Sequence, residues 1–493
     1  MRRTAVIDVV GLTGALIGDH TPRIREFAAR GDQAVVEPAF PAVTCTAQST
    51  YLTGTAPHAH GIVGNGWYNR ELAEVQFWKQ SNHLVQGKKL WEELRERDPQ
   101  FTCAKLFWWY NMYSTADFSI TPRPMYPADG RKVFDIYTNP GSLRQDIQRD
   151  LGPFPFPCFW GPAAGLDSPQ GSADAVSRWI AESARWIENK YHPTLNLIYL
   201  PHLDYNLQRH GTYKRAADVS PAGQTANQTC RQDAGSILNP AIHRDLREID
   251  SIVGGLIDFF QKRMVQVILL SEYGITNVNK PIHINRLFRE QAEPWLAIRE
   301  ELGLELLDPG ASEVFAVADH RVAHVYLNNR SLESKVRDLI ERETGATVLN
   351  AKEQAALGID HPRAGDLVAI APEGAWFTYY YWLNDEVAPD FARTVDIHRK
   401  PGYDPAELFL DPGLTNPRLE IAWRLLRKKL GFRMLLDVIP LDASLVKGSH
   451  GARPNNISDW PVLIAERNSL PPNSQVHATD VYHILKRCVL DRE

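Results

Sequence analysis

EPAFPAVTCTAQSTYLTGTAPHAHGIVGNGWYNR, residues 37–70, is the stretch on which the reading of the whole chain turns. It opens as the end of a strand, turns in a segment bracketed by Pro38 and Pro41, and enters a helix at or near Thr44. Thr44 and Thr46 can cap that helix, and Gly54 with Pro57 close it. A hydroxyl at a helix N-terminus stands beside unpaired backbone N–H groups and the positive end of the dipole. That setting suits a nucleophile directed at phosphate. Threonine is also an ordinary N-cap, so the helix signal alone leaves both roles open for Thr44.

Upstream, MRRTAVIDVVGLTGALIG (1–18) has the basic start and apolar run of a signal peptide, but Asp8 interrupts the run. TAVIDVVG reads instead as the first buried strand of a parallel sheet, with Asp8 at its C-terminal end, where ligand sites gather in open α/β sheets. Downstream, FTCAKLFWWYN (101–111) reads as another buried strand inside a Pro-, Gly- and aromatic-rich region. SADAVSRWIAESARWIENK (172–190) has helical apolar spacing, and TLNLIYL leads into a polar loop, HLDYNLQRHG. A long helical region over 235–263 precedes the strand VQVILLS, which ends at Ser271 before Glu272 and Tyr273. VFAVADHRVAHVYLNN (314–329) reads as a strand pair carrying Asp319, His320 and His324, and SLESKVRDLIERETG (331–345) as a helix. Residues 365–382 read as a hairpin turning at 372–374, and 478–490 as a closing helix.

This rhythm predicts an α/β fold: a doubly wound, mostly parallel sheet with helices on both faces. The 493 residues are read as one domain with a cap built from insertions at 71–165 and 205–240. A net charge of −5 without a basic block gives nucleic-acid binding no electrostatic support. No apolar run is long enough for a membrane span, so no membrane partner is expected. Five scattered cysteines without a CxxC pair point to a reducing compartment, and the expected location is the cytoplasm. Oligomeric state is not legible.

The tail of the opening stretch adds a resemblance. A threonine, TG nine residues later, and HGI-x-GN ending at Asn65 resemble the nucleophile segment of the alkaline phosphatase superfamily. The likeness is to its nucleotide pyrophosphatase/phosphodiesterase and phosphonoacetate hydrolase branches. The resemblance implies Thr44 as the nucleophile, also touching a metal, and Asn65 as the amide that binds a substrate oxygen. It further implies two divalent metal ions, with Asp8, Thr44 and Glu272 at one and Asp204, Gln208 and His450 (from KGSHGARP) at the other.

Two positions depart from the family pattern. Gln208 stands where a zinc-binding histidine is expected, with His210 two residues on. Tyr273 stands in place of the histidine of an Asp–His pair, whose aspartate is here Glu272. Either a bulge brings in His210, or Gln208 ligates, or the metal differs. Oxygen-rich ligands favour manganese or iron over zinc, and His320 is the first residue to test for a missing ligand. The implied function is a metal-dependent phosphodiesterase or nucleotide pyrophosphatase acting on a small phosphorylated substrate. The alternatives are a phosphonate or phosphomonoester hydrolase of the same fold, or a metal-poor, non-catalytic relative that binds a phosphorylated ligand.

Overall fold

Nine strands form the central sheet: β1 (Thr4–Val9), β2 (Asp32–Glu37), β3 (Cys103–Leu106), β4 (Phe118–Pro122), β5 (Ile136–Asn139), β6 (Leu195–Leu200), β7 (Gln266–Leu270), β8 (Val462–Ala465) and β9 (Gln475–His477). Their order is β9-β2-β8-β7-β1-β6-β3-β4-β5. The computed structural model describes residues 1–128, 131–215, 236–430, 437–470 and 475–490. β1 pairs in parallel with β6 and β7, and β3 continues the parallel run to β4. β8 runs antiparallel to both β7 and β2, and β5 antiparallel to β4. The sheet is therefore mixed but mostly parallel. β1 is buried along its whole length, as a strand covered on both faces must be, and that explains its uninterrupted apolar reading apart from Asp8.

Two helical groups cover the sheet. α1 (Pro22–Arg30), α3 (Ala175–Tyr191) and α5 (His243–Gln261) pack together, and α2 (Thr44–Thr53) packs with α6 (Asp480–Leu490). α4 (His202–His210) follows β6 directly. The polar loop expected at HLDYNLQRHG is thus a helix. All of its residues but His210 are buried, and its polar side chains meet one another, backbone carbonyls or side chains of other elements, so polarity there does not signal solvent.

The expected cap at 71–165 is corrected, because this stretch supplies β3, β4 and β5 to the central sheet. β3 is the buried strand expected within 101–111, whereas β4 and β5, five and four residues long among aromatics and prolines, have no readable period. Of 205–240, the first residues belong to α4, and 216–235 lie outside the described residues. A larger separate unit forms later in the chain. Val314–Asp319, Val322–Leu327, Leu367–Ile370 and Thr347–Leu349 make an antiparallel four-stranded sheet with its own hydrophobic cluster. The hairpin expected at 365–382 does not form. Leu367–Ile370 joins that small sheet, whereas Ala375–Phe377 pairs in parallel with Lys280–Ile282. Among the described residues, no helix is long and apolar enough to cross a membrane.

Candidate active site

The ends of β1, β6 and β7 converge with the N-terminus of α2. Asp8 lies level with Tyr199 and Leu270 in register, so the residues that follow β6 and β7 fall beside it. α2 is tied to this edge by Tyr51, whose hydroxyl donates to the Ser271 carbonyl at 2.9 Å. Gly54, in the left-handed conformation at φ 69°, ends it.

Thr44 is the first residue of α2, and the cap position belongs to Val43, held in an extended conformation. Neither expected cap forms. Thr46 donates to the Ile62 carbonyl at 3.1 Å, and Thr44 Oγ1 lies 3.2 Å from the Tyr273 hydroxyl. Ala42 N–H donates to the Gly451 carbonyl and fixes the preceding chain, which sets the cap one residue before the threonine and leaves its oxygen for the cleft.

Tyr273 is the hub. Its hydroxyl donates to Asp204 Oδ1 at 3.2 Å, and because it has one proton, Thr44 must donate to it. Its ring lies flat on the His450 imidazole, with centroids 3.8 Å apart and planes 5° from parallel. Asp204 Oδ2 accepts from Gln208 Nε2 at 2.8 Å, one helical turn along α4. Burial pushes the Asp204 carboxyl up to about 7, against the pull of these two donors. His450 directs Nδ1–H at the Ala42 carbonyl, 2.9 Å away, which leaves Nε2 as its lone-pair atom. Burial lowers its pKa to about 3.

Asp8 and Glu272 are both fully buried. No well-aligned hydrogen bond reaches either oxygen of Asp8 or Glu272 Oε2. Glu272 Oε1 accepts from Gln48 Nε2 at 2.5 Å, and Gln48 in turn accepts from the Trp109 N–H. Burial raises Asp8 to about 7, and burial together with the Asp8 charge raises Glu272. Three orphaned carboxylate oxygens in a buried pair suit a cation, and the all-oxygen donor set with Thr44 suits a hard one. The second expected set differs. Both Asp204 oxygens already accept hydrogen bonds, so Gln208 Oε1, which has no partner, and His450 Nε2 are its open donors. Asp204 keeps a further lone pair on each oxygen, so the three side chains still present oxygen and nitrogen donors on one side of the cleft. His210, at the exposed end of α4, is absent from the cleft wall.

Asn65 is held from four sides. Its Oδ1 accepts from Cys45 N–H at 3.0 Å, and its own N–H donates to Asp319 Oδ2 at 2.7 Å. Its Nδ2 donates to Asp319 Oδ1 and to the Tyr403 hydroxyl, at 3.2 and 3.0 Å. Both amide protons are thereby engaged, and a substrate oxygen must take one of them over. Tyr403 gives its proton to Asp319, so His320 Nε2–H donates to Tyr403 and His320 Nδ1 is left buried and unpartnered. His320 occupies the first position of the two-residue turn between Asp319 and Val322, at φ 60°. His324 is elsewhere, its Nε2 against the Val63 carbonyl.

The cleft is open to solvent and holds about 40 Å³ of water-accessible space. Its upper walls are aromatic: Trp78, Trp109, Phe159, Trp160, Tyr205 and Tyr403. No lysine or arginine lines it among the described residues. The family model for type I phosphodiesterase/nucleotide pyrophosphatase matches residues 4–404, from β1 to the segment carrying Tyr403. The chain belongs to this family.

No curated protein matches the chain. Among solved structures, this family member resembles murine ectonucleotide pyrophosphatase/phosphodiesterase 5, at 13% identity with TM-score 0.54, covering 99% of this chain and 95% of that one. An inactive variant of that mouse protein, solved in complex with AMP, aligns equally well. Phosphonoacetate hydrolase from Sinorhizobium meliloti, in complex with phosphonoformate, aligns at 11% identity and TM-score 0.57, covering 99% and 96% of the two chains. At such identities these likenesses concern the fold.

Sequence reasoning missed Tyr403 and Gln48. Gln48 had a readable signal, since it lies one turn along the helix from Thr44 on the same face. Tyr403 had none, because a long-range packing arrangement brings it to Asn65.

Proposed function

We propose that this family member hydrolyses a phosphodiester or pyrophosphate bond with Thr44 as nucleophile. The observation that carries the reading is the line Thr44 Oγ1–H, Tyr273 hydroxyl, Asp204 Oδ1 at the N-terminus of α2, with both contacts at 3.2 Å. Asp204, titrating near neutrality, is a well-matched proton acceptor. Thr44 Oγ1 bonds to phosphorus as its proton passes to the Tyr273 oxygen and the tyrosine's own proton passes to Asp204. Tyrosine stays neutral throughout, and the bond to the leaving oxygen, protonated by solvent, breaks. Water then attacks phosphorus, Thr44 departs, and the proton returns along the same line.

Asp8 and Glu272, with Thr44, are the residues that would hold a divalent cation, manganese, iron or zinc. When bound it would lower the pKa of the threonine hydroxyl and balance the substrate's charge. Asn65 turns an amide proton from Tyr403 to a non-bridging oxygen. A cleft without lysine or arginine suits the single charge of a diester better than the double charge of a monoester, and its aromatic walls suit a planar leaving group such as a nucleoside. The buried free thiols Cys45, Cys103 and Cys158 accord with a reducing, cytoplasmic setting.

A second reading, binding of a phosphorylated ligand without turnover, is favoured by the engagement of both Asp204 oxygens and both Asn65 amide protons. The deciding experiment compares bis(4-nitrophenyl) phosphate, 4-nitrophenyl phosphate and phosphonoacetate, each with added Mn²⁺, Fe²⁺ or Zn²⁺. The diester should turn over fastest. Thr44→Ala should abolish turnover in a folded protein, and Thr44→Ser should keep part of it. Activity that survives Thr44→Ala would remove the nucleophile, and no turnover with any pairing would favour the binding reading.

A further inference from the structure

A separate group of metal-ligating side chains lies between α4 and α5. His202 opens α4, and Asp245 and Glu248, three residues apart on α5, share one face. His202 Nε2 is 3.0 Å from Glu248 Oε2 and 3.6 Å from Asp245 Oδ1, and one ligand atom from each residue lies within 4.8 Å of the others. The His202 side chain is 1% exposed, Asp245 4% and Glu248 19%. None of the three lines the catalytic cleft.

The decisive detail is what these atoms do not do. His202 Nε2 and Glu248 Oε2 are 3.0 Å apart, yet neither makes a well-aligned hydrogen bond to the other or to any other group. An imidazolium paired with a carboxylate aligns its N–H along that line, and here the alignment is missing. Ligand atoms around a shared ion behave this way, because each lone pair aims at the centre and not at its neighbour. With metal–ligand bonds of about 2.0–2.1 Å, atoms on a tetrahedral ion stand roughly 3.3 Å apart, which the observed spacings bracket. The outer contacts have the pattern that orients such ligands. Asn206 Nδ2 donates to Asp245 Oδ1 at 2.6 Å, and Arg244 Nε holds Glu248 Oε1 at 2.7 Å, so that Oε2 faces the group.

We propose that His202, Asp245 and Glu248 form a second, structural site for a divalent transition-metal ion, with zinc the occupant their chemistry favours. The imidazole selects against magnesium and calcium, and the two carboxylates neutralise the ion. α4 carries Asp204 and Gln208 as well as His202. The ion therefore clamps the helix that presents the proton acceptor to α5, and the partial exposure of Glu248 gives it a route from solvent.

The test uses full-length protein stripped with chelator, reloaded with ZnCl₂, desalted and assayed for bound metal, with His202→Gln and Glu248→Gln treated alongside. Each variant should retain one equivalent of zinc fewer than the native protein, and should lose the zinc-induced rise in thermal midpoint that this site contributes. Cobalt loading should give visible d–d bands that both substitutions change. Glu248→Gln should weaken the affinity of this site at least about tenfold. If His202→Gln fails to fold, Glu248→Gln, which alters a partly exposed residue without changing its size, decides alone. Equal zinc content and an unchanged cobalt spectrum in the folded variants would overturn the site.

Discussion

Tyr273→Phe is the sharpest probe of the catalytic line, because it deletes one oxygen and keeps the ring. The stack on His450, with centroids 3.8 Å apart, survives. Two hydrogen bonds are lost, to Thr44 and Asp204, each 3.2 Å long and so longer, and weaker, than the usual O–H···O contact. At about 0.5–1 kcal/mol each, the fold should lose about 1–2 kcal/mol. That is a minor share of the roughly 5–15 kcal/mol that holds a native protein. The rate should suffer far more, since the Thr44 proton loses its path to Asp204 and general-base assistance is worth about 10²–10⁴-fold. Urea denaturation measures the first effect, and initial rates on bis(4-nitrophenyl) phosphate across the neutral range measure the second. The native rate should rise as Asp204, held at about 7, loses its proton, and that limb should vanish in Tyr273→Phe. A variant within about threefold of the native rate, with its pH limb intact, would show that no proton moves through Tyr273.

Asn65→Ala should lower kcat/KM by about 10²–10³-fold, the worth of one oxyanion donor, with bound metal unchanged by elemental analysis. Loss of metal would assign Asn65 a different role. Glu272→Asp with Tyr273→His should raise zinc affinity in a direct titration, by adding a neutral nitrogen to the oxygen donors of Asp8 and residue 272. Asp8, raised to about 7, binds its proton more tightly folded than unfolded. Chelated protein should therefore lose stability as pH climbs from about 4 to 7 and then level off, and a divalent cation should cancel the loss. Thermal scans with and without Mn²⁺ check this. Lys105 is buried, donates to the Trp109 and Tyr110 carbonyls, and is lowered to about 7 by burial. An unfolded lysine keeps its proton to about pH 10.4, so stability should rise between pH 7 and 10, by up to about 1.4 kcal/mol per unit, and Lys105→Met should flatten that slope in urea titrations.

The parts of this molecule legible in the sequence are those where one local rule dominates. β1, α3, α5 and α6 announce themselves by burial period, whereas Asp8, Thr44 and Glu272 are singled out by the family resemblance, since position alone leaves their roles open. α4 was hidden because its polar residues face protein: Asn206 and Arg209 satisfy one another and nearby carbonyls, a pairing that composition cannot report. Asp319 illustrates the same gap. Its carboxylate, next to His320 and five residues before His324, reads as a candidate ligand, yet it spends both oxygens holding Asn65. Such roles are fixed by contacts between residues more than 250 positions apart, and no window on the sequence contains them.

His320 sits at φ 60° in a two-residue turn whose first position glycine fills best. A non-glycine residue there forgoes about 1 kcal/mol or more of local stability. Any search that ranks substitutions by melting temperature will therefore be drawn to His320→Gly. The substitution would relax the hairpin and remove the imidazole that holds Tyr403 against Asn65. Thermal selection and catalytic competence pull in opposite directions at this position, so a thermostable descendant that had kept a histidine at 320 would be evidence that its activity was under selection too.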